Sequence, residues 1–303
     1  MAWDTDSIVD RRRLKRRLVL WRTAAIVAAA GLAVILVGRL TGTAGDDARV
    51  ARIAVTGVIV EDRDREAALA RVAAEPDVKA LIVHINSPGG TTFGGEALYR
   101  GLRRVAEKKP VVAVIGTVGA SGGYMAALAA DRILALETSI TGSIGVLWQT
   151  AEFSRLLDRL GVSAESITSG PLKAEPSPFK PLSERARQAA QDLVDETHAW
   201  FVDLVAERRG LPRDRAAALA DGRVYSGRAA QAAGLIDDIG GEAAARAWLA
   251  SARDIDRDLP VVDLDYGDEP PLLRRVLDRL LGKSFLPERV TLDGLMSVWH
   301  PGG

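Results

Sequence analysis

The sequence predicts an α/β domain built around a largely parallel sheet, and three observations carry that expectation. Short apolar runs such as Ala80-Leu81-Ile82-Val83-His84-Ile85 and Val111 to Ile115 alternate with longer stretches of helical periodicity. Two of the runs end in glycine-rich turns that open directly into helical patterns. Some 200 residues, roughly, lie between an N-terminal apolar segment and a polar tail, enough for one core.

Taken in order, strands are expected near 53–60, 81–86, 111–116, 133–136 and 144–148. Helices are expected near 64–74, 93–109, 121–130, 152–160 and 183–209, then 214–220, 227–233 and 242–252. The longest, from Ser183 to Arg209, shows a stripe of Ala186, Ala190, Leu193, Val194, Phe201, Leu204 and Val205 at helical spacing. Gly210-Leu211-Pro212 then stops it. In a parallel sheet, strand-to-helix turns gather at the carboxyl ends of the strands, where ligands bind. The turns Asn86-Ser87-Pro88-Gly89-Gly90 and Gly119-Ala120-Ser121-Gly122-Gly123 therefore face one cleft.

The second turn presents a serine among small residues, with room for a substrate beside its hydroxyl. Ser121 is the candidate nucleophile. The Pro-Gly-Gly turn exposes backbone N–H groups of the kind an acyl-transfer site needs for its oxyanion. A plain connecting turn would look the same when taken alone. The nucleophile also needs a base, and the three histidines are poorly placed for that task. His84 lies within a predicted strand, His198 lies in the long helix, and His300 is close to the C-terminus. Lysine is the remaining choice, because desolvation favours the neutral amine and Ser-Lys pairs are a known variant of the serine triad.

Four blocks now bear on one another: Ile85 to Gly90, Ala120 to Tyr124, Thr141-Gly142-Ser143-Ile144-Gly145-Val146, and Asp221-Gly222-Arg223-Val224-Tyr225-Ser226-Gly227. In kind and order they resemble the bacterial signal peptide peptidase A family, membrane-anchored Ser/Lys proteases, over roughly Arg52 to Gly241. The resemblance implies the ClpP/crotonase fold, a repeated ββα superhelix with a mainly parallel sheet, preceded by one transmembrane helix. It places the nucleophile on Ser121 and the general base on Lys173, 52 residues downstream. Ser143 matches the family serine that hydrogen-bonds the lysine amine, and the backbone N–H groups of Gly90 and Gly122 match the oxyanion donors. Pro171-Leu172 departs from the more polar residues of the family just before the base. Lys180, between Phe179 and Pro181, is the rival lysine. The blocks occur once, which is similar to the single-domain form of the family, and the resemblance implies a homo-oligomer, an octamer, whose sites are completed by neighbouring subunits. It also implies a hydrolase of hydrophobic peptides such as remnant signal peptides, with no cofactor.

At the N-terminus, six of the seven residues from Arg11 to Arg17 are basic, and the apolar stretch Leu18 to Val37 follows. That length approaches the roughly 20 residues needed to span a bilayer. With the basic flank held in the cytoplasm, the rest of the chain is expected on the far side of a bacterial inner membrane, the catalytic domain being periplasmic. A cleaved signal peptide is the competing reading, with Ala44 and Gly45 as small residues near a cleavage point. The expected organisation is a basic segment, an anchor at about 18–38 and a linker within 1–48, a protease domain at 49–250, and a tail at 251–303. In the tail, Leu272, Leu273, Val276, Leu277, Leu280 and Leu281 share a helical face suited to subunit packing or a membrane surface.

Composition narrows the alternatives. The 40 basic and 40 acidic residues balance, so no polyanion-binding field is expected and nucleic acid is not an expected partner. With no cysteine at all, disulfides, thiolate catalysis and cysteine-based metal sites are excluded. The scattered histidines give no metal-ligand spacing, so no metal is expected. Two other function classes stay open: a crotonase-type acyl-CoA enzyme, which also needs oxyanion-holding glycines, and a non-catalytic membrane scaffold on the same fold.

Overall fold

The computed structural model describes residues 21–23, 25–29, 48–266 and 296–298. The chain divides into two units, 1–47 and 48–303. In the first, the described residues between 21 and 29 are helical and exposed. The remainder of the apolar stretch expected to form an anchor lies outside the described residues, as does the amphipathic pattern at 272–281. Among the described residues no helix is long and apolar enough to cross a membrane.

The second unit is a mixed α/β domain. Strand β1 (Arg49–Ile59) is followed by helix α1 (Arg63–Ala74), β2 (Val78–Thr91), α2 (Thr92–Ala106), β3 (Val111–Ala120) and α3 (Gly122–Ala127). Then come β4 (Arg132–Ala135), β5 (Ile140–Gly142), α4 (Ser154–Arg159) and α5 (Glu184–Arg209). The chain continues through α6 (Arg213–Ala218), β6 (Val224–Ser226), α7 (Gly227–Ala233), β7 (Asp238–Ile239), α8 (Glu242–Arg253), β8 (Val261–Asp263) and β9 (Met296–Val298). One sheet has the order β6-β5-β3-β2-β1-β8, with β4 and β7 beyond β3 and β9 beside β2. Its pairings are parallel except β5 with β6 and β2 with β9.

Burial explains why the central strands are continuously apolar. Ile53, Val55, Leu81, Val83, Ile85, Ala113 and Ile115 point to one face, beneath α1, α2, α3 and Phe201, Val202 and Val205 of α5. Ala80, Ile82, Val112 and Val114 point to the other, where Ala245 and Leu249 of α8 cover them. Both faces are covered, so alternation gives way to unbroken runs. Several helices begin at side-chain caps: the Asp62 carboxylate accepts from Arg65 N–H at 3.0 Å, Thr91 Oγ1 from Gly94 N–H at 3.0 Å and Ser183 Oγ from Ala186 N–H at 3.2 Å. Helix α5 ends at Gly210, whose φ of 62° suits glycine.

One expected strand is displaced. No strand forms over 144–148; the pairing segment is Ile140–Gly142, beside the end of β3. Ile144 alone of that run is buried, and Leu147 makes an isolated bridge, so the segment packs one side chain into the core without forming a strand. The segment from 251 onward also contributes to the domain, because β8 pairs in parallel with β1.

Arg52 ties that added edge down. Its guanidinium donates to both Asp263 carboxylate oxygens, at 2.5 and 2.8 Å, and to Glu242 at 2.8 Å. The hydrogen bonds from Arg52 hold the Asp263 carboxyl below its usual range. A carboxylate whose folded-state pKa is depressed stabilises the fold above its unfolded pKa and stops doing so as pH falls through the folded one. Arg52→Met should therefore lower Tm at neutral pH, and the gap from the unaltered protein should narrow below about pH 4. Thermal melts across an acid series check this; a gap that stays constant down to the acid limit would rule out the Asp263 pair as its source.

Candidate active site

The two glycine turns meet, as the parallel topology requires. A methyl group built on Gly123 would lie 2.7 Å from the Ser87 carbonyl oxygen, and one on Gly95 would lie 3.5 Å from Gly122 Cα. Strand β2, the start of α2 and the start of α3 thus crowd around one point. Only small residues permit it, which accounts for the glycine content of both turns.

At that point Ser121 has φ 55° and ψ −118°, a conformation costly for any residue but glycine. It is buried, with 1% of its surface exposed. Its N–H donates to the Gly142 carbonyl at 2.8 Å, and its own carbonyl accepts from Met125 N–H at 2.8 Å. Helix α3 is therefore pinned at its first residue. Thr91, Ser183 and Ser226 each turn a side-chain oxygen back onto a helix N–H, whereas the Ser121 side chain makes no such cap.

Ser143 lies next to it. Ala120 and Gly142 are partners in the β3–β5 ladder, and each strand then steps into a positive-φ serine, Ser121 and Ser143 (φ 49°). The block from Asp221 to Gly227 supports this turn from behind. Ser143 N–H donates to the Arg223 carbonyl at 2.8 Å, Gly222 N–H donates to Ile144 at 3.2 Å, and Tyr225 pairs with Thr141. Arg223 is itself held by Asp221, whose carboxyl its hydrogen bonds keep below the ordinary range. Sequence reasoning marked this block without giving it a task, because an antiparallel pairing with a three-residue strand has no local signal.

Gly90 sits at the end of β2 against β1. A methyl group there would lie 1.7 Å from the Ile59 carbonyl oxygen, so the position admits no side chain. Beyond the last β2–β3 pairing, at Ser87 and Gly119, this stretch of β2 is flanked by β9, with Gly89, Gly90 and Thr91 opposite Val298, Ser297 and Met296 in antiparallel register.

The lysines are elsewhere. Lys173 is exposed, on turns between α4 and α5 where its N–H donates to the Gly170 carbonyl at 3.1 Å. Lys180 pairs with Glu175 at 2.5 Å. His198 Nε2 is bonded to the Ala220 carbonyl at 2.8 Å, and His84 is half-buried within β2; His300 lies outside the described residues. Among the described residues, no cluster of three His, Asp or Glu side chains is spaced to hold a metal ion. The ladder end at Ala120 and Gly142 thus sets Ser121 and Ser143 side by side, and Lys173 stands on an exposed turn.

The model of peptidase family S49 matches residues 103–256, which spans α3, β5 and the β6 block. A putative protease of Synechocystis sp. is 38% identical over 230 residues, covering 75% of this chain and 82% of that protein. The chain belongs to peptidase family S49. A further relative of this S49 member, a putative signal peptide peptidase SppA of Enterococcus faecium, is 34% identical over 173 residues, 57% of this chain and 50% of that protein. The chain thus spans about half the length of that second relative. Among solved structures, a mutant of ClpP1 from Listeria monocytogenes matches at 16% identity and a TM-score of 0.43, over 63% of this chain and 91% of that one. The α/β assignment rests on the strand pairing described above.

The strain at Ser121 has a measurable consequence. Ser121→Gly and Ser121→Ala both remove the hydroxyl, but only glycine relieves φ 55°. Ser121→Gly should be the more stable of the two by about 1–3 kcal/mol. Paired denaturant titrations give the difference, and equal stabilities would show that the backbone is not strained.

Proposed function

We propose that this chain is a membrane-anchored serine endopeptidase of the Ser/Lys type on a ClpP/crotonase-like superhelix, acting on hydrophobic peptides such as remnant signal peptides. The observation that carries this reading is the edge of β2 at Gly89–Thr91, which takes Met296–Val298 as an added antiparallel strand. An extended peptide bound in that way lies along the glycine turn that meets Ser121. Family membership supports a serine protease, and the strained, uncapped turn at Ser121 supports this residue as the nucleophile.

In the proposed reaction, Ser121 Oγ adds to the scissile carbonyl carbon while its proton passes to the neutral Lys173 amine. The backbone N–H groups of Gly90 and Gly122 receive the oxyanion. As the carbon–nitrogen bond breaks, the lysine returns its proton to the leaving amine. Water, deprotonated by the same lysine, then hydrolyses the ester and releases Ser121. Ser143 orients the amine. Lys173 is exposed within one chain, which favours a base delivered across a subunit boundary in a homo-oligomer, by family resemblance an octamer.

We place the catalytic domain in the periplasm, behind an N-terminal anchor at about 18–38 in the inner membrane with the basic flank cytoplasmic. A periplasm-dependent reporter fused after Gly303 should be active; a reporter active only in the cytoplasm would overturn this topology.

Ser121→Ala and Lys173→Ala should each abolish cleavage of an apolar fluorogenic peptide without changing the circular dichroism spectrum. Co-assembled in one oligomer, the two inactive variants should recover part of the activity, because some sites then combine an intact serine with an intact lysine from a neighbour. Persistent inactivity would assign the dyad to a single chain. Full activity of either variant alone would remove that residue from the mechanism, and faster turnover of acyl-CoA thioesters than of peptides would replace the protease reading altogether.

A further inference from the structure

The strand that leads into the Pro-Gly-Gly turn is irregular on both sides at one place. Between Thr56 and Val58 the β1–β2 register slips, and Gly57 takes φ +69°. Between Ile85 and Ser87 the β2–β3 register slips as well. Such irregularities leave ladder groups without their regular partners and concentrate beside functional sites.

Ser87 sits where the two slips meet, and it is fully buried. Its hydroxyl donates to the Gly57 carbonyl at 2.6 Å, which commits its one proton. The same oxygen accepts from Gly89 N–H at 3.1 Å. The remaining contact, to the Gly89 carbonyl at 3.4 Å, is long beside these. One side chain therefore takes up the carbonyl released by the β1 irregularity and the N–H immediately before Gly90. The neighbouring positions are fixed independently. Gly90 is pressed on Ile59, Thr91 caps α2, and Gly123 of the nucleophile helix abuts the Ser87 carbonyl.

We propose that Ser87 is a positioning residue for the oxyanion site: by holding Gly89 N–H inward it fixes the Pro88–Gly89 peptide plane, from which the next plane, carrying the Gly90 N–H that receives the developing charge, is set. Gly89 has φ 110°, in a region where glycine moves freely, so that its own sterics do not keep the turn in place. The hydroxyl adds a side-chain constraint to the ladder pairings of Gly89 and Gly90 with Val58 and Ile59. Electrostatic stabilisation of an oxyanion depends on donors fixed before the charge appears, so a turn that can rotate loses rate even though its N–H groups are all still present. The proposal rests on the reading of Ser121 as nucleophile and Gly90 as donor.

The test uses the full chain in its assembled form. Ser87→Ala should lower kcat by about 10-fold or more, less than the roughly 10²–10³ lost when a donor is removed outright, with little change in KM. A peptidyl aldehyde, which forms a tetrahedral oxyanion on the serine, should bind more weakly by the same factor. Ser87→Thr keeps the hydroxyl and should restore aldehyde affinity towards the original value. Leu69→Ala, a buried core substitution away from the cleft, serves as a control for general destabilisation and should leave aldehyde affinity unchanged. If Ser87→Ala does not assemble, Ser87→Cys, with similar shape and a weakly bonding thiol, carries the same expectations. Aldehyde affinity within twofold of the unaltered protein, or a loss reproduced by the Leu69→Ala control, would overturn the role of Ser87. Failure of the underlying reading is a separate result: the unaltered protein would then ignore the aldehyde, or Ser121→Ala would retain activity.

Discussion

The hydrogen bond from Ser121 N–H to the Gly142 carbonyl, 2.8 Å long, is the constraint on which the site depends. It closes the end of the β3–β5 ladder at the residue where β3 stops being a strand. Without it nothing in the local sequence would hold a serine at φ 55°, because the following residues are two glycines with wide conformational freedom. The strain is sustained by its surroundings: β5 is in turn fixed by β6, and α3 is packed under α2. A serine positioned by backbone geometry in this way makes no side-chain cap of its own helix.

This arrangement explains why four short blocks far apart in the chain act as one unit. Each contributes backbone more than side chain. The β2 turn brings peptide N–H groups, the β3 turn brings a strained serine, the last residue of β5 brings the acceptor for that serine, and the β6 block supports the acceptor through Ser143 N–H and the Arg223 carbonyl. Glycines recur because the strands and helices meet at distances that a Cβ would violate, as with Gly90 against Ile59 and Gly123 against Ser87. Parallel pairing makes the convergence possible, since it delivers β2 and β3 to the same edge with their following helices on one face.

Much of the central sheet was legible in the sequence because burial on both faces writes itself as unbroken apolar runs, as at 81–85 and 111–115. Long capped helices were legible for a similar reason, with Ser183 and Gly210 marking both ends of α5. What depended on pairing was not. Ile144 is as apolar as a strand residue, yet it is buried in the core while the ladder is formed by Ile140–Gly142, a segment with a threonine and a glycine. The short β6 and the edge strand β8 are fixed by partners 84 and 211 residues away, such as Thr141 for Tyr225 and Arg52 for Asp263, and carry no periodic pattern. Ser121 could be singled out by its small neighbours, whereas the work of Ser87 could not, since it exists only where two register slips coincide.

The placement of Lys173 fits the same physics. A lysine that works as a base must be neutral, and neutrality requires removal from water. Within one chain Lys173 lies on an exposed turn. The surface of the neighbouring segments is unusually apolar: Phe153, Leu156, Leu160 and Phe179 each have half or more of their area exposed. Under the proposed mechanism, burial against another copy of the chain would cover these side chains and dry the amine together. In that reading the single chain holds the serine, its strained turn and the glycine turns fixed by the sheet, and the lysine begins its work when its loop is covered.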